Sequence, residues 1–147
     1  MDGNRLFSLR EANGLVAMLQ REFSRARVLR DRLAAIQERL VAAGRPLEGP
    51  ELQVDASASS EVQGLQAEAV EILGELRGLL RELSDLGLEV KAADGLVDLR
   101  SKLHGRVVYL CWKFGEERVG HYHELDAGFA GRQPLPEGGD FLGDLLH

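Results

Sequence analysis

Apolar residues between positions 8 and 43 recur every three or four residues, the spacing of one buried face on an α-helix. The series comprises Ala12, Leu15, Val16, Leu19, Phe23, Ala26, Leu29, Leu33, Ile36 and Leu40. Ser8 and Glu11 stand three residues apart at its start, as in a capping box, and Gly44 and Pro46 follow its end. The pattern predicts a first helix over residues 8–43.

A second stretch with helical spacing begins near Ser60. Its apolar positions are Val62, Leu65, Ala69, Ile72, Leu76, Leu79, Leu83 and Leu86. Gly87 before Leu88 is typical of a helix C-terminus. We therefore predict a second helix over residues 60–87 and a loop over residues 44–59, which are rich in Pro, Gly and Ser. Since both apolar seams are narrow, the two helices are expected to form an antiparallel, coiled-coil-like hairpin.

After Gly87 the apolar period shortens towards two, which predicts β-strands. Strand-like runs lie at residues 88–91, 96–99, 106–114 and 118–125, and the first two flank Asp94-Gly95, a common hairpin-turn pair. Residues 126–147 are predicted to form a Gly- and Pro-rich turn and tail, with a short helical turn at 141–146. The predicted fold is α+β in a single domain, 1–147: a long antiparallel two-helix hairpin followed by a small antiparallel sheet of three or four strands over 88–125.

The register of the last two predicted strands has two solutions. A two-residue turn at Gly115-Glu116 pairs His121 with Leu110, whereas a three-residue turn pairs His121 with Cys111. Glycine at the first turn position favours the shorter turn. The longer turn leaves one continuous apolar stripe, and we favour it for that reason: Val108, Leu110, Trp112 and Phe114.

The composition is typical of a soluble globular protein, with 147 residues, 44% of them hydrophobic and 29% charged. No stretch of about 18 apolar residues is present and the N-terminus has no apolar signal core, so we expect a cytoplasmic protein without a membrane span. The single cysteine, Cys111, lies in an apolar run and is expected to be a buried thiol.

Charge is divided unevenly along the chain. Residues 1–45 hold nine arginines and five acidic residues, and residues 46–87 hold nine acidic residues and two arginines. The basic segment is therefore expected to neutralise the acidic one. A nucleic-acid role, which ranks last among the functions considered, would rest on Arg21, Arg25, Arg32 and Arg39. These residues are expected instead to face the acidic helix or solvent, which makes nucleic acid an unlikely partner. Apolar residues outside the seam predict a homodimer with a four-helix contact: Val28, Leu73 and Leu80.

His121 and His123 are two apart on a strand, so both imidazoles leave the same face and can chelate one metal ion. With Asp126 as a third ligand, or else His104 from the loop before the neighbouring strand, they form a candidate site for a divalent metal such as zinc. The alternative interpretation is that the two histidines form hydrogen bonds across the sheet or line an interface.

The segment that follows contains the components of an anion or partner site. Gly128 and Gly131 permit a turn with exposed backbone amides, and Arg132 supplies a guanidinium. The alternative interpretation is a glycine turn in which Arg132 bridges to Asp126 or Glu124.

Two segments together resemble a known protein family. The N-terminal "FSLREANGLV" and the C-terminal "GLVDL…VYLCWKFGEERVGHYHELDAGFAGRQPL" resemble a bacterial domain-of-unknown-function family with no established activity. The resemblance covers nearly the whole chain. It implies these signature positions: Trp112, His123, Glu124, Asp126, Gly128, Gly131 and Arg132.

Two functions are consistent with these patterns. The first is a dimeric interaction module with a small-ligand or partner site at the sheet end, formed by His123, Glu124, Asp126, Gly128, Gly131 and Arg132. The second is a metal-dependent hydrolase that uses His121, His123 and Asp126 as ligands and Glu124 as general base.

Overall fold

The computed structural model describes residues 5–48 and 52–144. It contains two helices followed by an antiparallel sheet, which confirms the predicted α+β class. The helices are α1 (Leu9–Ala42) and α2 (Ser60–Asp85), and the strands within the described residues are β1 (Glu89–Ala92), β2 (Leu96–Leu103), β3 (Arg106–Lys113), β4 (His121–His123), β5 (Gln133–Pro134) and β6 (Phe141–Leu142).

Two compact units are distinguished, one combining Met1–Phe23 with Leu80–His147 and the other formed by Ser24–Leu79. The single domain stays a prediction.

The helix ends follow the local sequence signals. The Ser8 amide donates to the Glu11 carboxylate at 2.9 Å, and the Glu11 amide donates to Ser8 Oγ at 3.0 Å, which confirms the capping box. Gly44 and Gly87, just beyond the two helices, have φ angles of 73° and 93°. These left-handed conformations favour glycine and terminate both helices close to the predicted positions.

The unit Ser24–Leu79 is an antiparallel pair of helical segments. Its buried cluster joins residues from both helices: Leu29, Ile36, Leu40, Val62, Leu65, Ala69 and Ile72. The predicted pairing of basic with acidic helix is confirmed by three ion pairs: Arg25 with Glu75, Arg32 with Glu68 and Arg39 with Glu61. Arginines later in α1 pair with glutamates earlier in α2, so the two helical segments run antiparallel. Arg21 instead contacts Glu22 on its own helix at 3.8 Å.

Two glutamines attach the described parts of the connecting loop to the helices. The Leu47 amide donates to the side-chain oxygen of Gln37, and the Asp55 amide donates to that of Gln66, each at 2.8 Å. Leu47 and Leu52 also pack against the buried cluster. The loop is therefore held by side chains that satisfy its backbone, although its sequence shows no regular period.

The sheet has more strands than the three or four predicted. Its order is β1-β2-β3-β4-β5, and β6 pairs with β2. The additional strands are the two-residue segments β5 and β6, which are too short to show a period in the sequence. The prediction of a helical turn at 141–146 is wrong, because Phe141–Leu142 is a strand. Residues 145–146 of that prediction lie outside the described residues. The last predicted strand, 118–125, is shortened to His121–His123.

One face of the sheet contributes to the apolar core of its unit. Val108, Leu110 and Trp112 of the predicted stripe are fully buried, and its fourth member, Phe114, is half-buried with its ring 6.3 Å from the Trp112 ring between centroids. The ring of Phe23, from α1, lies 6.0 Å from the Trp112 ring between centroids. Since side chains alternate along a strand, the residues between these positions project from the opposite face.

Candidate functional site

The strand register places a row of polar residues on the sheet face opposite Trp112. Asp98 pairs with Cys111, and Cys111 pairs with His121. In the next row Tyr109 pairs with His123. The register that we favoured from the sequence is therefore confirmed. The connection from Lys113 to His121 is longer than a three-residue turn.

Glu116 organises this longer connection. Its carboxylate accepts from the Lys113 amide at 2.8 Å, and its backbone carbonyl accepts from the Trp112 indole at 3.0 Å. The same carbonyl also accepts from the Gln20 side chain at 2.8 Å. These bonds fold the connection back on β3, which places the Glu116 carboxylate near the polar face.

His123 and Asp98 form the buried centre of the site. His123 Nδ1 lies 2.8 Å from the Glu124 carbonyl oxygen, and Nε2 lies 3.1 Å from Asp98 Oδ1. A carbonyl oxygen only accepts, so Nδ1 carries a hydrogen and donates it. Nε2 then faces the Asp98 carboxylate, either with its lone pair or with a second hydrogen. Burial raises the pKa of Asp98, against the opposing effect of the His123 contact.

Cys111 lies beside this pair and is fully buried, as predicted. Burial raises the pKa of its thiol to about 11, although Arg132 donates a hydrogen bond to Sγ at 3.8 Å, which acts in the opposite direction. The thiol is therefore protonated near neutral pH. A protonated, inaccessible thiol is a poor nucleophile.

Arg132 pairs with a carboxylate that the sequence did not indicate. Its guanidinium binds both carboxylate oxygens of Glu116, one at 3.2 Å, instead of bridging to Glu124 or Asp126 as predicted. Burial acts to raise the pKa of Glu116, but the hydrogen bonds from Arg132 and the Lys113 amide outweigh it and hold this pKa below its usual value. The strand register decides this pairing, because it brings Arg132 over Cys111 and towards Glu116.

Glu124 has its own arginine. Arg106 donates to its two carboxylate oxygens at 2.9 and 3.0 Å, on an exposed part of the surface. Asp126 is exposed on the turn that follows. The Glu124–Arg106 pair therefore marks the start of the turn, and the Arg132–Glu116 pair marks its end.

The turn itself is compact and depends on its glycines. Gly128 has a φ of 64°, and a Cβ on Gly131 would lie 2.7 Å from the Ala127 side chain. A short 3-10 helix at Phe129–Gly131 follows, closed by a bond from the Arg132 amide to the Phe129 carbonyl. Phe129 is 41% exposed and Leu125 is 49% exposed.

The three predicted metal ligands are not brought together as a group. Within residues 5–48 and 52–144, a different group of three metal-binding side chains lies close together: Asp98, Cys111 and His123. Their donor atoms are within 4.8 Å of one another. His121 lies on the same face, with Nδ1 3.8 Å from Glu116. The metal-dependent hydrolase is not favoured, because this group is buried and Glu124 is already paired with Arg106.

Sequence reasoning missed Asp98 and Glu116 as members of the site. Asp98 interrupts the apolar run Leu96–Leu99, and a charged residue inside a buried strand requires a partner. That signal indicates a buried polar contact, but it does not identify His123 as the partner. Nothing in the local sequence distinguishes Glu116 from Glu117 as the partner of Arg132.

A second charged network borders the site. Glu89 pairs with Asp98 across β1 and β2 and accepts from the Tyr109 hydroxyl at 3.1 Å. Lys91 and Arg100 bind the same carboxylate at 3.1 and 3.2 Å. Desolvation acts to raise the pKa of Glu89, but these hydrogen bonds and charges lower it overall. This part of the sheet face is therefore polar, and its carboxylate is bound by two cations.

No helix among the described residues has the length and apolar character needed to span a membrane. Comparisons with curated proteins and with solved structures each found no match. A comparison with family models did find one, over residues 5–135, which include both helices and the whole of the site. The chain belongs to the family described as "Uncharacterized conserved protein (DUF2203)".

Proposed function

We propose that the protein is a homodimeric interaction module that binds a partner protein through the turn at residues 123–132. The observation that carries this proposal is a turn held by an ion pair at each end that exposes two large apolar side chains, Leu125 and Phe129. A surface that is already ordered loses little conformational entropy when it binds.

The exposed residues favour a protein partner over a small ligand. Phe129 and Leu125 are about half exposed, and Lys113 and Arg132 lie over the Phe129 ring, 5.6 and 4.8 Å from its centroid. Apolar side chains that project from a turn fit a pocket on another protein, whereas a small molecule needs a concave site. Lys113, an exposed cation beside the ring, adds affinity for a partner that carries a carboxylate near its pocket.

Binding is better supported than catalysis at this site. The Cys111 thiol is protonated and inaccessible, and His123 and Asp98 are occupied with each other. Two partly exposed carboxylates at this site, Glu116 and Glu124, are each bound by an arginine. A nucleophile or general base needs an accessible group with a suitable pKa, and these groups lack one or both properties.

The dimer would form through the helical hairpin. Val28 is 60% exposed and Val70 is 39% exposed, both in the unit Ser24–Leu79. A Cβ placed on Gly74 would meet nothing within 4 Å, so the outer surface of α2 is open to close approach by a second chain. Contact with a second copy of the chain is the simplest way to remove these apolar side chains from water.

Sedimentation velocity tests the dimer with two variants matched in charge change. Val28→Glu places a carboxylate in the expected interface and should shift the protein to monomer. Arg27→Gln also lowers the net charge by about one, at an exposed neighbouring position, and should leave the dimer intact. A monomeric parent protein, or two variants that behave alike, would contradict the dimer.

Site-specific photo-crosslinking in the native host tests the turn. A benzophenone amino acid in place of Phe129 should give a discrete crosslinked product that is lost when Leu125→Asp is also present. The same amino acid in place of Glu137, which is exposed outside the turn, is the control. Products that are equal at both positions, or that persist with Leu125→Asp, would overturn the assignment of the turn as a partner site.

A further inference from the structure

We propose that Asp98, Cys111 and His123 bind a single divalent transition-metal ion of the zinc class. Their donor atoms lie within 4.8 Å of one another, and each residue comes from a different strand: β2, β3 and β4. This set shares only His123 with the ligands predicted from the sequence. The inference goes beyond the proposed partner binding and does not depend on it.

The donor types and their spacing fit zinc. A thiolate, an imidazole and a carboxylate are all zinc ligands, with bonds of about 2.0–2.3 Å, which place tetrahedral donors roughly 3.5 Å apart. His123 Nε2 and Asp98 Oδ1 are already 3.1 Å apart. The donor atoms therefore need to move by only about 1 Å to reach a bonding geometry.

The orientation of His123 is an independent indication. Its Nδ1 donates to the Glu124 carbonyl at 2.8 Å, which turns Nε2 towards Asp98, 3.1 Å away. Histidines that bind metals commonly donate the other ring hydrogen to a carbonyl or carboxylate in this way. The ligand atom is thus oriented before any ion binds.

The local charges are also compatible with a divalent cation. The ion would replace the Cys111 thiol proton and the proton held between His123 and Asp98, so the buried charge stays the same and both protons are released. Arg132 is the cation nearest to Cys111, and Glu116 neutralises it. His121 also lies against Glu116 and not against the donor atoms.

Burial indicates a structural role for the ion. Asp98, Cys111 and His123 are 3%, 0% and 2% exposed, which leaves no access for a substrate. An ion bound there joins three adjacent strands. We therefore expect it to stabilise the sheet beneath the turn at residues 123–132.

The test uses the untagged full-length protein, stripped with a chelator and titrated with Co²⁺ and then Zn²⁺. A single Co²⁺ ion should bind with a thiolate-to-metal charge-transfer band in the near ultraviolet, and Zn²⁺ should displace it. Zn²⁺ should also raise the Tm and release about two protons. Absence of a stoichiometric ion, or a bound Co²⁺ without the thiolate band, would overturn the proposal.

Two ligand variants and one control locate the ion. Cys111→Ser and His123→Gln should each lower the Zn²⁺ affinity by more than about 100-fold, because loss of a direct ligand exceeds the effect of losing a supporting hydrogen bond. His121→Ala, on the same strand and face, should bind as tightly as the parent protein. Loss of binding in His121→Ala with retention in Cys111→Ser would contradict the site. If a ligand variant does not fold, the Co²⁺ spectrum of the parent protein decides the question.

Discussion

His123 Nε2 lies 3.1 Å from Asp98 Oδ1, and the two side chains are only 2% and 4% exposed. The strands that carry them are not neighbours, because β3 lies between β2 and β4. The pair therefore spans three strands of the sheet. Removal of either member leaves the other polar group buried without its partner.

Asp98→Ala is expected to lower the free energy of unfolding by about 3 kcal/mol, because it leaves His123 Nε2 buried and unpaired. Urea denaturation in the presence of a chelator measures the effect without a contribution from bound metal. Asp126→Ala, which removes an exposed carboxylate, is the control and should change stability by less than about 0.5 kcal/mol. Equal denaturation midpoints for the two variants would contradict this prediction.

The buried thiol of Cys111 should make stability depend on alkaline pH. Its folded pKa of about 11 lies above the ordinary thiol pKa of 9.0, so the folded state keeps a proton that the unfolded state loses between these values. Stability is therefore expected to fall as the pH rises from about 9 to about 11. Denaturation midpoints of the parent protein and of Cys111→Ala, measured with a chelator present to keep both metal-free and compared across this range, isolate the effect. The same change of denaturation midpoint with pH in both proteins would contradict this prediction.

The Cys111 thiol should also react slowly with an aromatic disulfide reagent at mild alkaline pH. Both its burial and its raised pKa keep the reactive thiolate scarce until the sheet opens. Absorbance of the released thiol, followed in native buffer and in denaturant with a chelator present in both, measures the rate. Comparable rates in the two solvents would show that the thiol is accessible in the folded protein.

Arg132→Gln should loosen the turn more than Arg106→Gln does. The Arg132 side chain is 15% exposed in its pair with Glu116, whereas that of Arg106 is 49% exposed in its pair with Glu124. Water screens the more exposed pair, so its loss costs little. Hydrogen exchange of the amides at 125–132 should accelerate in Arg132→Gln and change little in Arg106→Gln. Faster exchange in Arg106→Gln than in Arg132→Gln would contradict the conclusion that the Arg132–Glu116 pair holds the turn.

Two glycine substitutions should change stability in opposite directions. Gly95 has a φ of 113°, and a Cβ there would overlap that of Phe114, so Gly95→Ala should cost about 1 to 3 kcal/mol. Gly64 lies in α2, where a Cβ meets nothing within 4 Å, so Gly64→Ala should stabilise its unit by about 1 kcal/mol. Urea denaturation followed by circular dichroism measures both. Stabilisation by Gly95→Ala would contradict the close contact with Phe114.

Local signals account for the elements that were predicted well. Ser8 and Glu11 cap α1, and Gly44 and Gly87 lie beyond the two helices, because each signal acts within a few residues through backbone hydrogen bonds or a left-handed φ. The apolar stripe at Val108, Leu110 and Trp112 follows from strand alternation in the same way. Segments as short as β5 and β6 carry no such period, and only their pairing with β4 and β2 makes them strands.

The sequence by itself determined the α+β class, the capped helices, the face shared by His121 and His123 and the burial of Cys111. Only the tertiary structure decided which partners these side chains meet. Arg132 binds Glu116 and not Glu124 or Asp126, and His123 meets Asp98 from a strand that is not its neighbour. Residues distant in sequence are brought together by strand order and register. Local periodicity fixes the face on which a side chain lies, but it does not fix the neighbour across the sheet.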